Sequence, residues 1–292
     1  MATMTLGGSI TTHISRRRRV KNRVFTAALY VAGGLALLPL LFVSGYVIVR
    51  GVSALNLNFF TKEPVPPPGT GGGFGPAFVG TMTIVGIGAL ISIPLGLLSA
   101  IYLAEFGRGK LASAVRFVSD MLLATPSIVA GAFIWALVVV ALGAFSALAG
   151  ALAVSVIMWP IISRTTEEVL RLVPNELREG GLALGVPRWR VILRIVVPTA
   201  GAGIFTAIML ALARGLGETA PILLTSLGND FYNTNPLQPT DAVTLRIYNF
   251  AQSPYPAQHA QAWGGAIVLL FVVLLLSITA RILSSRQQRR AR

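Results

Sequence analysis

Two ionisable residues, Arg214 and Glu218, stand four positions apart inside the apolar run from Thr199 to Leu227. On a helix that spacing makes them neighbours on one face. A charge carried into hydrocarbon costs ~2.5 to 3.5 kcal/mol on insertion scales, so the pair needs a reason to be there. One reason is bland: an ion pair that satisfies itself, or is satisfied by a neighbouring helix. The other is a route for anions, which requires cationic groups along it. A guanidinium cannot be neutralised in the physiological range, and Glu218 one turn away would hold it in place. Gly215, Gly217 and Pro221 weaken the helix around the pair and open its backbone. Other chemistries are excluded or carried by nothing. There is no cysteine, hence no thiol nucleophile, Cys-ligated zinc or iron–sulfur cluster. The two histidines, His13 and His259, have no partner at helical spacing, so no metal site is expected. No GxxxxGK[ST] phosphate loop occurs, so no catalytic residues are assigned and the chain cannot hydrolyse ATP alone.

The elements that must position such a pair are membrane spans. Of 292 residues 54% are hydrophobic and 12% charged, against a soluble norm near ~25% charged. The net charge of +14 does not point to nucleic acid, because the Lys and Arg lie between long apolar runs rather than on a soluble basic face. Spans of about 17 to 25 apolar residues are predicted at Val24–Val49, at Phe78–Ala104, twice within Phe117–Ser163 with a tight turn near Gly143–Ser146, at Thr199–Leu227 and at Trp263–Ile282. The first is too long for a signal-peptide core and has no A-x-A site after it, so it is expected to stay. This gives a basic tail 1–23, a six-span region 24–282 and a basic tail 283–292.

Short cytoplasmic loops carry the excess of Lys and Arg. On one side fall 20 of the 24, including Arg16–Arg19, Arg108, Lys110, Arg164, Arg171 and Arg178; the opposite side has Arg50, Lys62 and Arg246. Both termini are therefore expected in the cytoplasm, with the arginine tail acting as a topology signal toward anionic lipid. Glu105 and Asp120 read as boundary charges that reach water. The outer loop Gly51–Gly75, rich in Pro and Gly, is expected to hold no regular helix. The outer loop Gly228–Gln261 reads either as a connector or as a surface for an extracytoplasmic partner.

Between the fourth and fifth spans lies a segment of about 36 residues, 163–198. Arg164, Arg171 and Arg178 recur every seven residues and predict a cationic face. Pro174 should open a short helix that Gly185 and Pro187 end, and Trp189–Val196 a second one that Pro198 stops. Glu179, Gly180, Gly181, Gly185, Ile195, Val197 and Pro198 follow the spacing of the cytoplasmic "EAA" loop of bacterial ABC importer permeases, with Gly for both Ala and Val for Leu. The chain resembles that family, which implies an all-α, six-span membrane protein of the MetI-like, type I permease fold. The resemblance also implies that loop 164–198 is a coupling helix seated in an ATPase cleft, with Glu179, Gly180, Gly181, Gly185 and Pro198 at the contact.

Further segments, from GGGFGPAFVG at Gly71–Gly80 through RTTEEVLRLVP at Arg164–Pro174 to ARGLGETAP at Ala213–Pro221, resemble the phosphate-specific branch over residues 71–227, closer to its PstA-type than to its PstC-type subunit. The resemblance implies a bacterial cytoplasmic-membrane assembly. Its other members are a PstC-type sister permease, two copies of a PstB-type ATPase that binds ATP and Mg, and a PstS-type phosphate-binding protein, with inorganic phosphate as cargo. Sulfate and molybdate permeases share the coupling loop. From the residues alone, a proton-coupled secondary anion transporter using Arg214 and Glu218 also stays open, as does a phosphate-sensing scaffold.

Overall fold

A computed structural model describes residues 16–67, 69 and 71–290, with side chains through residue 282. The start of the basic tail with His13, the loop residues Pro68 and Thr70, Arg292, and the side chains of Arg286, Arg289 and Arg290 lie outside what is described. The chain divides into two units, 1–49 and 50–292. The first is dominated by α1 (Arg16–Gly51), which tolerates Pro39 and exposes apolar side chains around its circumference. A helix hydrophobic all round is built for a lipid environment.

The second unit is also helical. After a short turn and α2 (Leu57–Thr61), α3 (Gly75–Ile101) runs into a π turn at Tyr102–Phe106. Next come α4 (Lys110–Ala124), then α5 (Ser127–Ile134) continued by a π turn at Trp135–Val139 into α6 (Val140–Leu142), then α7 (Ala147–Arg171). The α8 helix (Asn175–Ala183) precedes α9 (Arg188–Val191), a π turn at Ile192–Val196 and α10 (Val197–Thr199). The order closes with α11 (Gly201–Gly217), α12 (Ala220–Thr225), α13 (Val243–Ala251) and α14 (Pro256–Arg290). Among the described residues four helices are long and apolar enough to cross a membrane, and six spans result when each of two bent pairs counts as one.

The core forms where α3, α7 and α11 meet. Ile84, Val154, Met158, Ile162 and Ala211 are buried there. Small residues allow close approach, as in membrane helix packing generally: Gly88 faces the Ala151 carbonyl and Gly96 lies under Ile162. A polar pin links the same helices, with Ser99 Oγ donating to Ser163 Oγ at 2.9 Å and accepting from Trp159 Nε1 at 3.2 Å.

Three sequence expectations about the spans are corrected. The third span is not straight: α4 and α5 meet at 109°. Pro126 has no N–H to give, and it forces Thr125 into an extended conformation (ψ 131°), so the helix cannot continue through the pair. The predicted turn at its far end is present, with Gly143 left-handed (φ 66°) and Ser146 Oγ capping α7 by accepting from Ala149 N at 3.1 Å. Pro198 does not stop the helix of the inner loop. It sits in the first turn of α10, where a missing N–H costs little, and the chain bends by 70° two residues later, at Ala200. The fifth span is itself interrupted at Glu218–Thr219.

The loop end of the molecule is better ordered than its Pro and Gly content suggests. In the first loop α2 forms because Asn56 Oδ1 caps Phe59 N at 3.0 Å, and Phe59 stacks on Phe74 with ring centroids 4.9 Å apart. Among the described residues, irregular backbone between α2 and α3 is confined to positions 62–74. The second loop holds α13, fixed by Val243 N donating to Thr81 Oγ1 at 2.8 Å and by the Asp241 carbonyl lying against Gly80. Arg246 is buried on α13, 2.5 Å from Asp241 and 2.6 Å from Asp230.

Candidate functional site

Arg214 lies on the last turn of α11, where Gly215 presses on Met158 and Val154 and so fixes which way the helix turns. Its side chain is 52% exposed and its Nε is 3.3 Å from Glu218 Oε1. Glu218 is no longer helical. It caps α11 in an extended conformation (ψ 128°), its carbonyl accepts from Thr244 Oγ1 at 2.8 Å, and its side chain is buried. Pro221 then opens α12 in its first turn. The expected pair is therefore formed, but across a break in the span rather than along a continuous helix. The exposed partner is the cation. Among the described residues its one ion-pair partner is Glu218, which leaves its outer face exposed.

The second constellation is the knob that follows α7. Gly185 has φ +73°, its N–H donates to Leu182 O at 2.9 Å, and Val186 N donates to Gly181 O at 3.3 Å. Those two bonds are the Schellman arrangement that closes a helix on a left-handed residue. Gly181 is buried under Val191 and Ile195, where an added Cβ would come within 2.9 Å of Val191. Gly180 has nothing within 4 Å of such a Cβ, and Glu179 beside it is exposed without a partner among the described residues. The two glycines thus differ: one packs the knob on itself, the other leaves a bare backbone surface. Leu177, Leu182, Leu184 and Trp189 are exposed around that surface, Leu184 at 84%. The sequence reading missed these four, although apolar residues on a knob outside the spans were a signal.

A buried carboxylate, Glu105, attaches the knob, and a second, Glu167, gathers guanidinia of α4 and α7. Arg178, expected on a cationic face, instead turns inward, with Nη2 2.7 Å from Glu105 Oε1 and bonds to the carbonyls of Leu170 and Val173. Arg188 donates to the Glu105 carbonyl and lies over the Phe106 ring, 5.0 Å from its centroid. Glu105 is therefore no water-reaching boundary charge: its side chain is 4% exposed. Arg164 and Arg171 likewise converge on Glu167, at 3.1 and 2.6 Å, together with Arg116 at 2.8 Å. Asp120, by contrast, is half exposed and reaches Arg164 at 3.0 Å. Spacing by seven brought Arg164 and Arg171 to one side of α7, and both pair there with Glu167, Arg171 staying 54% exposed.

Residues 92–292 match the family model described as binding-protein-dependent transport system inner membrane component. The chain belongs to that family. It is 42% identical over 278 residues to a protein of Xylella fastidiosa (strain 9a5c) named phosphate transport system permease protein PstA, covering 94% of this chain and 96% of that one. It is 38% identical to the protein of that name from Yersinia pestis, over 99% and 100% of the two chains. The fold matches a chain of the MetNI methionine ABC transporter in an inward-facing conformation, with a TM-score of 0.56 at 17% identity, covering 73% of this chain and 94% of that chain. These findings make it an all-α membrane permease of the MetI-like fold.

Proposed function

We propose that this chain is a translocating subunit of an ATP-driven importer of inorganic phosphate in a bacterial cytoplasmic membrane. The observation that carries this is its similarity along nearly its whole length to phosphate transport system permease proteins. In this reading both termini are cytoplasmic, and the region 24–282 pairs with a PstC-type sister permease. The knob within 164–198 seats in one of two PstB-type ATPase subunits, which bind ATP and Mg and perform the hydrolysis. A PstS-type binding protein delivers phosphate to the opposite face. Exposed Glu179, bare Gly180 and the apolar rim of Leu177, Leu182, Leu184 and Trp189 support the knob's role. Gly181 and Gly185 shape it from within, and Pro198 lies in the turn that returns the chain to the span.

Arg214 supplies positive potential on the route, and Glu218 keeps it from trapping the anion, since conduction needs binding strong enough to admit an ion and weak enough to release it. The test is phosphate uptake into proteoliposomes holding the assembled complex. Uptake should require ATP, survive a protonophore, and resist sulfate and molybdate. Arg214→Ala should lower it at least tenfold with the ATPase still copurifying, while Arg214→Lys retains part of the rate because a point charge remains without the planar fork. Uptake that collapses with the proton gradient while ATP is present would favour a secondary transporter. Normal uptake by a fully assembled Arg214→Ala complex would make that residue structural.

A further inference from the structure

A cavity of about 250 Å³ opens beside the knob, between the π turn at the end of α3 and the start of α8. Its polar lining is Arg108, Arg171, Arg178, Arg188, Asn175 and a single carboxylate, Glu105. Part of this cation excess is already committed. Arg178 holds the Glu105 carboxylate and Arg188 its carbonyl. The rest is available: Arg108 is exposed and has no partner among the described residues, while Arg171 gives Nη2 to Glu167 and stays 54% exposed. Glu167 cannot neutralise Arg171 alone, because it also serves Arg116 and Arg164.

Taken together, Arg108, Arg116, Arg164, Arg171, Arg178 and Arg188 face Glu105, Glu167 and Asp120, six cations against three anions. Glu176 and Glu179 are exposed on α8 and do not line the cavity. Asn175 is the first residue of α8, so the positive end of that helix adds to the same field. Guanidinia gathered around one space repel each other unless an anion joins them, and their forked donors match phosphoryl oxygens. With a water occupying about 30 Å³, the cavity has room for a tetrahedral oxyanion and several waters.

We propose that this cavity binds a phosphoryl oxyanion, held by the uncommitted N–H groups of Arg108, Arg171 and Arg188. Two sources share that chemistry, free inorganic phosphate and the phosphodiester of an anionic lipid. In either case the anion bridges the end of α3 to the root of α8, the joint from which the knob hangs. The site is independent of Arg214 and of which ion is transported.

The experiment uses the assembled complex in nanodiscs of phosphatidylcholine alone or with phosphatidylglycerol. Binding of radiolabelled inorganic phosphate is measured, together with lipid retention by native mass spectrometry. Wild type, Arg108→Gln, Arg108→Gln with Arg171→Gln, and Arg214→Gln are compared. If free phosphate is the ligand, saturable binding in phosphatidylcholine discs persists in Arg214→Gln, weakens about threefold in Arg108→Gln and falls at least tenfold in the double variant. If a lipid is the ligand, phosphatidylglycerol is retained by wild type, displaces inorganic phosphate and is lost from the double variant. Among the described residues Arg108 has no partner, so Arg108→Gln breaks no bond seen there, and an unchanged melting temperature of the complex separates lost binding from a folding defect. Equal phosphate binding and equal lipid retention in wild type and double variant would overturn the proposal.

Discussion

The two ends of α7 carry polar cavities of nearly equal size and opposite character. The 25 residues of this helix separate them by about 37 Å at ~1.5 Å per residue. Near α13 a cavity of about 240 Å³ is lined by Asp230, Asp241, Arg246, Asn229 and Asn249, two carboxylates to one guanidinium. Near α8 the ratio is one carboxylate to four guanidinia. In both places a buried ion pair orders a loop: Arg246 to Asp241 within the loop that carries α13, and Arg178 on the knob to Glu105 at the end of α3. Fastening needs matched charge, and the α13 end stops there. The α8 end adds cations beyond what fastening uses. The lopsided count of Lys and Arg along the sequence is therefore a structural imbalance as well as a topology signal.

The sharpest way to break the α13 fastener is Arg246→Ala. It strands Asp241, whose side chain is 1% exposed, and breaking one side of a buried pair costs about 3 to 5 kcal/mol. Burial already pushes the Asp241 carboxyl from 3.8 up to about 6, against the pull of Arg246. Between those values the folded chain holds more protons than the unfolded one, so wild-type stability falls as pH rises through that window and levels off above it. Without Arg246 the carboxyl shifts further up. Thermal unfolding of Arg246→Ala in detergent should show a smaller loss at pH 5 than at pH 8, and equal losses would refute the stranded-charge account.

Glu167→Gln tests the α8 end in the same way and should cost less, about 1.5 to 3 kcal/mol. The carboxylate is buried, but Arg116, Arg164 and Arg171 keep 27%, 29% and 54% exposure and can turn to water. The melting temperature of the purified chain is the measurement, and raising salt should recover part of the loss by screening the freed cations.

Gly185→Val probes the left-handed turn that closes α8. A left-handed conformation costs a residue with a Cβ roughly 1 to 2 kcal/mol, and a β-branched one at least that. The knob should lose its shape while the spans persist, read as loss of ATPase copurification with little change in overall helix content. The smallest effect separates adjacent glycines. Gly180→Ala should stabilise by up to about 1 kcal/mol on helix propensity, whereas Gly181→Ala should not, because its methyl meets Val191. Identical melting shifts for the two would contradict the packing described.

What was legible in the sequence follows from the range of the forces involved. Spans, the Gly143–Ser146 turn and the left-handed Gly185 are local: run length, a permissive residue and a capping hydroxyl decide them. The Arg214–Glu218 contact was legible for the same reason. The bend at Thr125–Pro126 and the break after Gly217 were also local and were underweighted, since Pro126 and Pro221 each open a helix where an uninterrupted span was assumed. By contrast, the fate of Glu105 depended on Arg178, 73 residues away, and that of Glu167 on Arg116, 51 residues away. No spacing rule reaches that far. A carboxylate beside a span reads as a boundary charge until tertiary packing brings a guanidinium to it.

The three π turns leave a signature outside the structure itself. Each closes with a bond from residue i+5 back to i: Gly107 N to Tyr102 O, Val140 N to Trp135 O, and Val197 N to Ile192 O. A π turn is an α-helix holding one residue more than its hydrogen bonding needs. Removing one residue there restores the regular ladder and leaves the flanking faces in place, because the wide turn had already absorbed the extra residue's rotation of about 100°. Within an otherwise unbroken helix, these are the places where a chain can change length by a single residue and stay folded. Single-residue gaps in an alignment should therefore gather at 102–106, 135–139 and 192–196, and a relative lacking one should keep the following helical face pointing the same way.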